Sequence, residues 1–449
     1  MTSGSRHVLG YAARTGLQGL GRHPRTTVLS IVTLGLGLAA VMTMLSLLAM
    51  LSADPLPGRS QQLFLAWADS RQAPTQAHPE PDNPQLQRTL WKLADVQAMF
   101  GLAAHTPQVA LTESLLTVSD QDGRRKRSGQ AVLTLGPMPS MFGMALRHGR
   151  FWTPQEERER ATVAVIDTAT SLALFGQGDG TGRTLRIGKG LFRVIGVSDR
   201  WRPRPAVHFL QNREPWQGGG TMAFVPALAA LDAGVVPVGN RECDPVIPRR
   251  FTFDGLDTQA CRWLALWAQL PTAEQRQAYA ATLQRYAQDR HAQGTFQRPA
   301  TSGLYDVPGW LRFNRVVPDS VRLNLWLGLG LLVLCLANVA GLQAARLLRR
   351  SGELGVRRVL GAPRRAVVVQ CLVESGVTGL LGGLLAWPLT LGGLWVIRLQ
   401  DRGYTDLAHF RPGLFVALLA LAVCCGLLVG LVPAWRAARL APALQVRSL

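Results

Sequence analysis

The chain has 449 residues, 47% of them apolar and 17% charged, and its 48 Lys and Arg against 28 Asp and Glu leave a net charge of +20. Its length exceeds one ordinary domain and its charges are unevenly spread, which excludes a uniformly soluble protein and predicts a folded domain combined with membrane helices. Thirteen of the excess charges lie in three segments beside apolar runs, so they are assigned to membrane orientation and contact with anionic lipid, not to nucleic acid.

Residues 1–26 hold four arginines and no acid, and Thr27 to Leu51 then runs without a charge, longer than the roughly 20 residues that cross a bilayer. Both the leader and the apolar run exceed the secretory pattern, so 27–51 is read as a first span and not as a cleaved signal peptide. Residues 52–320 follow as a mixed α/β domain. Pro55 and Pro57 stop the helix, Gln62 to Trp67 reads as a strand, and a polar loop from Arg71 to Pro84 leads to a helix near Gln85 to Phe100. Val109 to Val118 and Gly129 to Leu135 are strands around Asp122-Gly123 and the basic run Arg124 to Arg127, a solvated hairpin tip.

Farther on, Thr162 to Ile166 is a β-branched strand and Thr168 to Phe175 a short helix closed by Gly176. Arg183 to Ile187 and Phe192 to Val197 pair across Gly188-Lys189-Gly190. The stretch from Arg200 to Arg250 is rich in Pro, Gly and aromatics and yields one strand, near Met222 to Val225. Arg262 to Leu270 reads as a strand. A helix then starts on a Thr272/Gln275 capping box, carries Tyr279, Leu283 and Tyr286 on one face and ends at Gly294. Two strand-plus-helix units, one near each end of the domain, are expected to pack as a split β-α-β layer, with residues near 130–240 inserted between them.

Three more spans follow, at 321–345, 366–397 and 413–435, separated by the segment 346–365, with a net charge of +6, and by a nearly neutral loop at 398–412. Residues 436–449 add three arginines. The positive-inside rule places 1–26, 346–365 and 436–449 in the cytoplasm. The expected fold class is therefore four transmembrane α-helices plus a large mixed α/β extracytoplasmic domain between helices 1 and 2. Within 346–365, Val356, Val359 and Leu360 recur at i, i+3, i+4 and Glu353 precedes Arg357 at i, i+4, the pattern of a short amphipathic helix along the inner membrane face.

Few residues suggest catalysis. The Gly188-Lys189 pair has Arg183 where a Walker loop needs its first glycine and Gly190 where it needs Ser or Thr, and HExxH, GxSxG and GxGxxG are absent, so an enzyme is not expected. Glu156, Glu157 and Glu159 beside Arg158 and Arg160 read as an unpaired charge run on a helix surface. No His or Cys spacing suggests a metal. Cys335, Cys371, Cys424 and Cys425 lie in spans, whereas Cys243 and Cys261 are the pair in the outer domain and candidates for a disulfide. Glu374 is a carboxylate inside an apolar span, read as paired with an arginine of the loop helix near the inner headgroups. Asn338 is expected to form an interhelical hydrogen bond, and Gly376, Gly379, Gly382 and Gly383 to let the third span approach a neighbour.

Two stretches carry a family likeness. Glu353 to Pro388, ELGVRRVLGAPRRAVVVQCLVESGVTGLLGGLLAWP, resembles the FtsX-type permease domain, as does the closing PAWRAARLAPALQVRSL from Pro433 to Leu449. Pro137 to Val197, with MFGMALRHGRFWTPQE, VAVID, LFG and GRTLRIGKGLFRVIGV, is similar to the periplasmic core domain of MacB-type permeases. The resemblance implies a bacterial inner-membrane permease whose ATP and magnesium sit on a partner or fused ABC ATPase, with none bound by this chain directly. It implies a dimer with a second FtsX-type permease, identical or paralogous, and makes Glu353, Gly355, Arg357, Arg358 and Gly361 the contact to a cytoplasmic ABC ATPase. The implied mechanism is mechanotransmission, in which ATP-driven motion of the outer domain exports or extracts an amphiphilic or peptide-like substrate. The alternative is a signalling subunit that regulates a periplasmic partner such as a cell-wall hydrolase. Pro55 and Pro57 depart from the long stalk of the macrolide-exporting branch, and Arg200 to Arg250 matches no part of the pattern.

Overall fold

A computed structural model describes residues 24–71, 88–199, 201–210, 220–238, 242–243, 260–349, 364–400 and 412–439. The chain divides into two compact units, a helical one within Met1–Ser52 and Val317–Leu449 and an α/β one within Ala53–Val316. Helix α1 (Pro24–Leu51) opens the helical unit.

The α/β unit starts with β1 (Leu63–Ala68), β2 (Leu90–Trp91), α2 (Leu93–Leu102), β3 (Gln108–Asp120), β4 (Lys126–Leu135), α3 (Met138–Phe142) and β5 (Leu146–Gly149). It continues with α4 (Pro154–Arg158), β6 (Val163–Asp167), α5 (Thr168–Phe175), β7 (Thr184–Ile187), β8 (Gly190–Ser198), β9 (Thr221–Pro226) and α6 (Ala227–Asp232). It ends with β10 (Glu242–Cys243), β11 (Cys261–Arg262), β12 (Leu264–Gln269), α7 (Ala273–Ala292), β13 (Ser302–Asp306) and α8 (Val307–Phe313).

Strands β13, β1, β12 and β3 lie side by side, all antiparallel. Val96 and Met99 of α2 and Tyr279, Leu283 and Tyr286 of α7 share their core with Phe64, Trp91 and Leu266, the layer expected from the two strand-plus-helix units. The inserted segment extends this same sheet. Strand β3 pairs with β4 on one side and β7 on the other, and β3, β4, β9, β6, β8 and β7 pair in a closed circuit. A closed circuit satisfies backbone groups that an open edge leaves exposed.

Local signals read correctly where neighbouring residues decide the structure. Thr272 Oγ1 accepts from the N–H of Gln275 and Gln275 Oε1 accepts from that of Thr272, both at 3.2 Å, so α7 begins on its capping box. Helix α5 is capped by Asp167, which accepts from the Thr170 N–H at 2.7 Å, and is closed by Gly176 at φ 71°, a left-handed position that a side chain disfavours.

Three expectations need correction. Leu90 and Trp91 pair with β12, so the helix expected from Gln85 begins only at Leu93, and residues 72–87 lie outside the described ones. Trp91 is 1% exposed and its indole donates to the Ala66 carbonyl at 2.9 Å, a tertiary anchor that overrides local helix propensity. The strand expected over Arg262 to Leu270 breaks at Trp263 into β11, paired with β10, and β12, paired with β1, β2 and β3. The acidic run is not unpaired: Glu156 binds Arg150 at 2.7 Å, Glu157 accepts from the Gly136 N–H, and Glu159 accepts from Gln155. Cys243 and Cys261 form a disulfide between β10 and β11. Beside it the fully buried Arg262 donates to the Ser70 carbonyl and bridges to Glu242.

The helical unit is completed by α9 (Asp319–Arg349), α10 (Arg364–Gln400) and α11 (Pro412–Arg439). Among the described residues α1, α9 and α10 contain stretches long and apolar enough to cross a membrane, and α11 is a helix of 28 residues. Leu34, Leu38 and Met42 of α1 form a core with Leu332 and Val339 of α9, Ala386 of α10 and Ala422 of α11. The glycine face of α10 serves two neighbours. A Cβ on Gly382 would fall 3.2 Å from Leu34 of α1, whereas one on Gly379 would fall 2.8 Å from the Ala422 carbonyl of α11. Ser30, Thr43 and Thr390 each donate to the carbonyl four residues earlier, which satisfies their hydroxyls inside apolar surroundings.

Candidate functional site

The residues expected to contact an ATPase, Glu353, Gly355, Arg357, Arg358 and Gly361, lie outside the described residues. The helices on either side are described, and their polar side chains converge. On α10, Cys371, Glu374, Ser375 and Thr378 recur at i, i+3, i+4 and i+7 and so share one face. On α9, Gln343 and Arg346 lie one turn apart.

These six side chains, with Gly430 of α11, line a cavity of about 20 Å³, room for a single water. The Ser375 hydroxyl donates to Gln343 Oε1 at 2.8 Å, and both residues are buried. Arg346 Nε donates to Thr26 Oγ1 of α1, also at 2.8 Å. Gln370 Nε2 reaches Glu374 Oε1 at 3.4 Å, and Thr378 donates to the Glu374 carbonyl at 2.8 Å. Gly430 is where α11 leaves space for Ser375, because a Cβ there would collide with the Ser375 side chain.

Chemically the cluster holds one cation, Arg346, and one carboxylate, Glu374, on the same cavity, framed by hydroxyls and amides. Both are half-buried, and each is held by a hydrogen bond, Arg346 to Thr26 and Glu374 to Gln370. Glu374 thus sits among polar groups from its own helix and α9, while the loop arginines proposed as its partners fall partly outside the described residues. Asn338 lies on the exposed face of α9, apart from the cluster. Gln343, Arg346 and Ser375 were not singled out from sequence. Their signal is the recurrence of polar residues at helical spacing around Glu374.

Among the described residues no group of three or more His, Cys, Asp or Glu is placed to hold a metal. The MacB-like periplasmic core domain family matches residues 27–286, more than half of the chain, and the FtsX-like permease C-terminal family matches residues 326–442. The chain belongs to the MacB/FtsX family of ABC transporter permeases.

Within that family, the macrolide export ATP-binding/permease protein MacB 2 of Aeromonas hydrophila is 24% identical, over 96% of this chain and 59% of its own length. An uncharacterized ABC transporter permease protein of Mycobacterium tuberculosis is 34% identical over 21% of this chain and 11% of its own. The crystal structure of the periplasmic region of MacB from Actinobacillus actinomycetemcomitans has a TM-score of 0.34 and 11% identity, covering 56% of this chain and 94% of that one. The chain spans about half the length of the curated MacB relatives it matches. It is a multi-pass membrane protein of this family, with a helical unit and an α/β unit.

Proposed function

We propose that the chain is the permease subunit of an ABC transporter in the bacterial inner membrane. It works beside a second FtsX-type permease and a cytoplasmic ATPase that binds ATP and magnesium. In this reading α11 is the fourth membrane crossing, both termini are cytoplasmic and the α/β unit is periplasmic. Nucleotide-driven closure of the ATPase pushes on the segment between α9 and α10. The helices pass that motion outward, and the α/β unit exports or extracts an amphiphilic or peptide-like substrate without a channel through the membrane.

The observation that carries this reading is the polar cluster, whose side-chain hydrogen bonds tie α9 to α1 and to α10 beside a core of Leu, Val, Met and Ala. Apolar attraction is non-directional, whereas hydrogen bonds in a water-poor setting are directional and expensive to leave unmade. The cluster therefore makes the helices follow one another. The test is to purify the chain with the ATPase that accompanies it and to introduce Arg357→Glu together with Arg358→Glu. Coupled ATP turnover is expected to be abolished while membrane insertion is unchanged. Normal coupling in that variant would remove the assignment.

A further inference from the structure

Helix α9 is gripped from two sides within one turn. Gln343 accepts from Ser375 of α10, and Arg346 donates to Thr26 of α1, both at 2.8 Å. Elsewhere α9 meets α1 through apolar and small groups, with Leu332 and Val339 in the shared core and Cys335 against Gly37. Those contacts resist separation, and the two hydrogen bonds add directional ties that are costly to leave unmade. They lie close to the end of α9 at Arg349: Gln343 is six residues away, about 9 Å along the helix.

We propose that Gln343 and Arg346 are positioning residues of the transport cycle: Gln343 passes displacement of α9 to α10 through Ser375, and Arg346 passes it to α1 through Thr26. This rests on the permease reading above. The polarity of the first bond is specific, since the Ser375 hydroxyl is the donor and a Gln343 side-chain oxygen the acceptor. Gln343→Glu therefore keeps the bond, whereas Gln343→Leu and Ser375→Ala each remove it. Thr26→Val removes the hydroxyl that accepts from Arg346 Nε at nearly constant volume.

The experiment uses the full chain in nanodiscs with its copurifying ATPase. It measures how much ATPase is retained and the permease-dependent ATP turnover per retained ATPase. Gln343→Leu, Ser375→Ala and Thr26→Val are expected to retain wild-type amounts of ATPase and to lose permease-dependent turnover by about fivefold or more, with Gln343→Glu within about twofold of wild type. Unchanged turnover in Ser375→Ala and Gln343→Leu overturns the proposal, as does an equal loss in Gln343→Leu and Gln343→Glu. If Gln343→Leu fails to accumulate in the membrane, Ser375→Ala decides the same bond without added bulk beside Gly430. A wild-type chain that retains no ATPase sinks the permease reading and this proposal with it. Retained ATPase with unaffected variants sinks this proposal alone.

Discussion

Tyr286 of α7 donates a 2.6 Å hydrogen bond to the carboxylate of Asp95, a first-turn residue of α2, and so ties together two of the helices that pack on the sheet. Asp95 is 1% exposed and also accepts from Arg290 at 3.1 Å, whose guanidinium lies 5.9 Å from the Tyr286 ring. Removing the cation leaves a charge buried, whereas removing the phenol leaves that charge with its counterion. Arg290→Met is therefore expected to cost about 3 kcal/mol and Tyr286→Phe about 1–2 kcal/mol. Urea unfolding of the detergent-solubilised chain, followed by tryptophan fluorescence, checks the order. A Tyr286→Phe cost above that of Arg290→Met would contradict it.

Adjacent carboxylates on α4 respond to acid in opposite senses. Hydrogen bonds from Arg150 hold Glu156 down to about 2, aided by the Thr153 backbone, while burial raises Glu157 despite the bond from the Gly136 N–H. Glu156 thus contributes stability above its ordinary value near 4.5 that is lost as pH falls toward 2. Glu157 is less favourable when charged in the folded state, so its contribution falls as pH rises above 4.5. Arg150→Gln should lower the unfolding midpoint at pH 7 by an amount that vanishes between pH 4.5 and 2. Glu157→Gln should raise it at pH 7 and match wild type below 4.5. The effect of Arg150→Gln is expected to be small, because that pair is partly solvated.

His208 gives a third pH signature. It is 3% exposed, packed against Trp201 at 4.8 Å and Phe142 at 6.4 Å between ring centroids, and burial pushes its pKa down to about 3 from 6.5. The unfolded chain takes up a proton that the folded one refuses. Stability therefore falls as pH drops from 6.5 toward 3, by at most about 1.4 kcal/mol per pH unit from this group. His208→Leu should flatten that slope by one proton's worth between pH 6.5 and 4, read from unfolding midpoints across the range. An unchanged slope would place the acid sensitivity elsewhere.

What was legible in the sequence is what neighbouring residues decide. Thr272 with Gln275, and Asp167 with Gly176, set helix ends through bonds spanning a few residues. The break at Trp263 was not legible, because it depends on which distant strand each half meets: β10 before it, and β1, β2 and β3 after it. Strand β13 was missed for a related reason, as Ser302 to Asp306 lacks an alternating apolar pattern and is held by its register with Phe64 to Ala68. In the site, Glu374 stood out as a charge in an apolar span. Ser375 and Gln343 did not, because a hydroxyl in a helix most often bonds its own backbone, as Ser30 and Thr43 do here. Arg346 was counted among the orienting charges, and only the fold shows it reaching Thr26.

The crossing of α10 and α11 supplies the last prediction. A Cβ on Gly379 would fall 2.8 Å from the Ala422 carbonyl and 3.0 Å from the Gly426 Cα, and one on Gly426 would fall 2.7 Å from the Gly379 Cα. Neither obstacle is a side chain that can turn aside, so the helices must separate. Gly379→Val and Gly426→Val are each expected to destabilise the helical unit by about 1–3 kcal/mol, measured as thermal retention of the solubilised chain. Both act on one contact, so the double variant should cost little more than either alone. Gly341→Ala on α9, with nothing within 4 Å of the added Cβ, should behave as wild type. Additive losses in the double variant would mean that the two glycines serve different contacts.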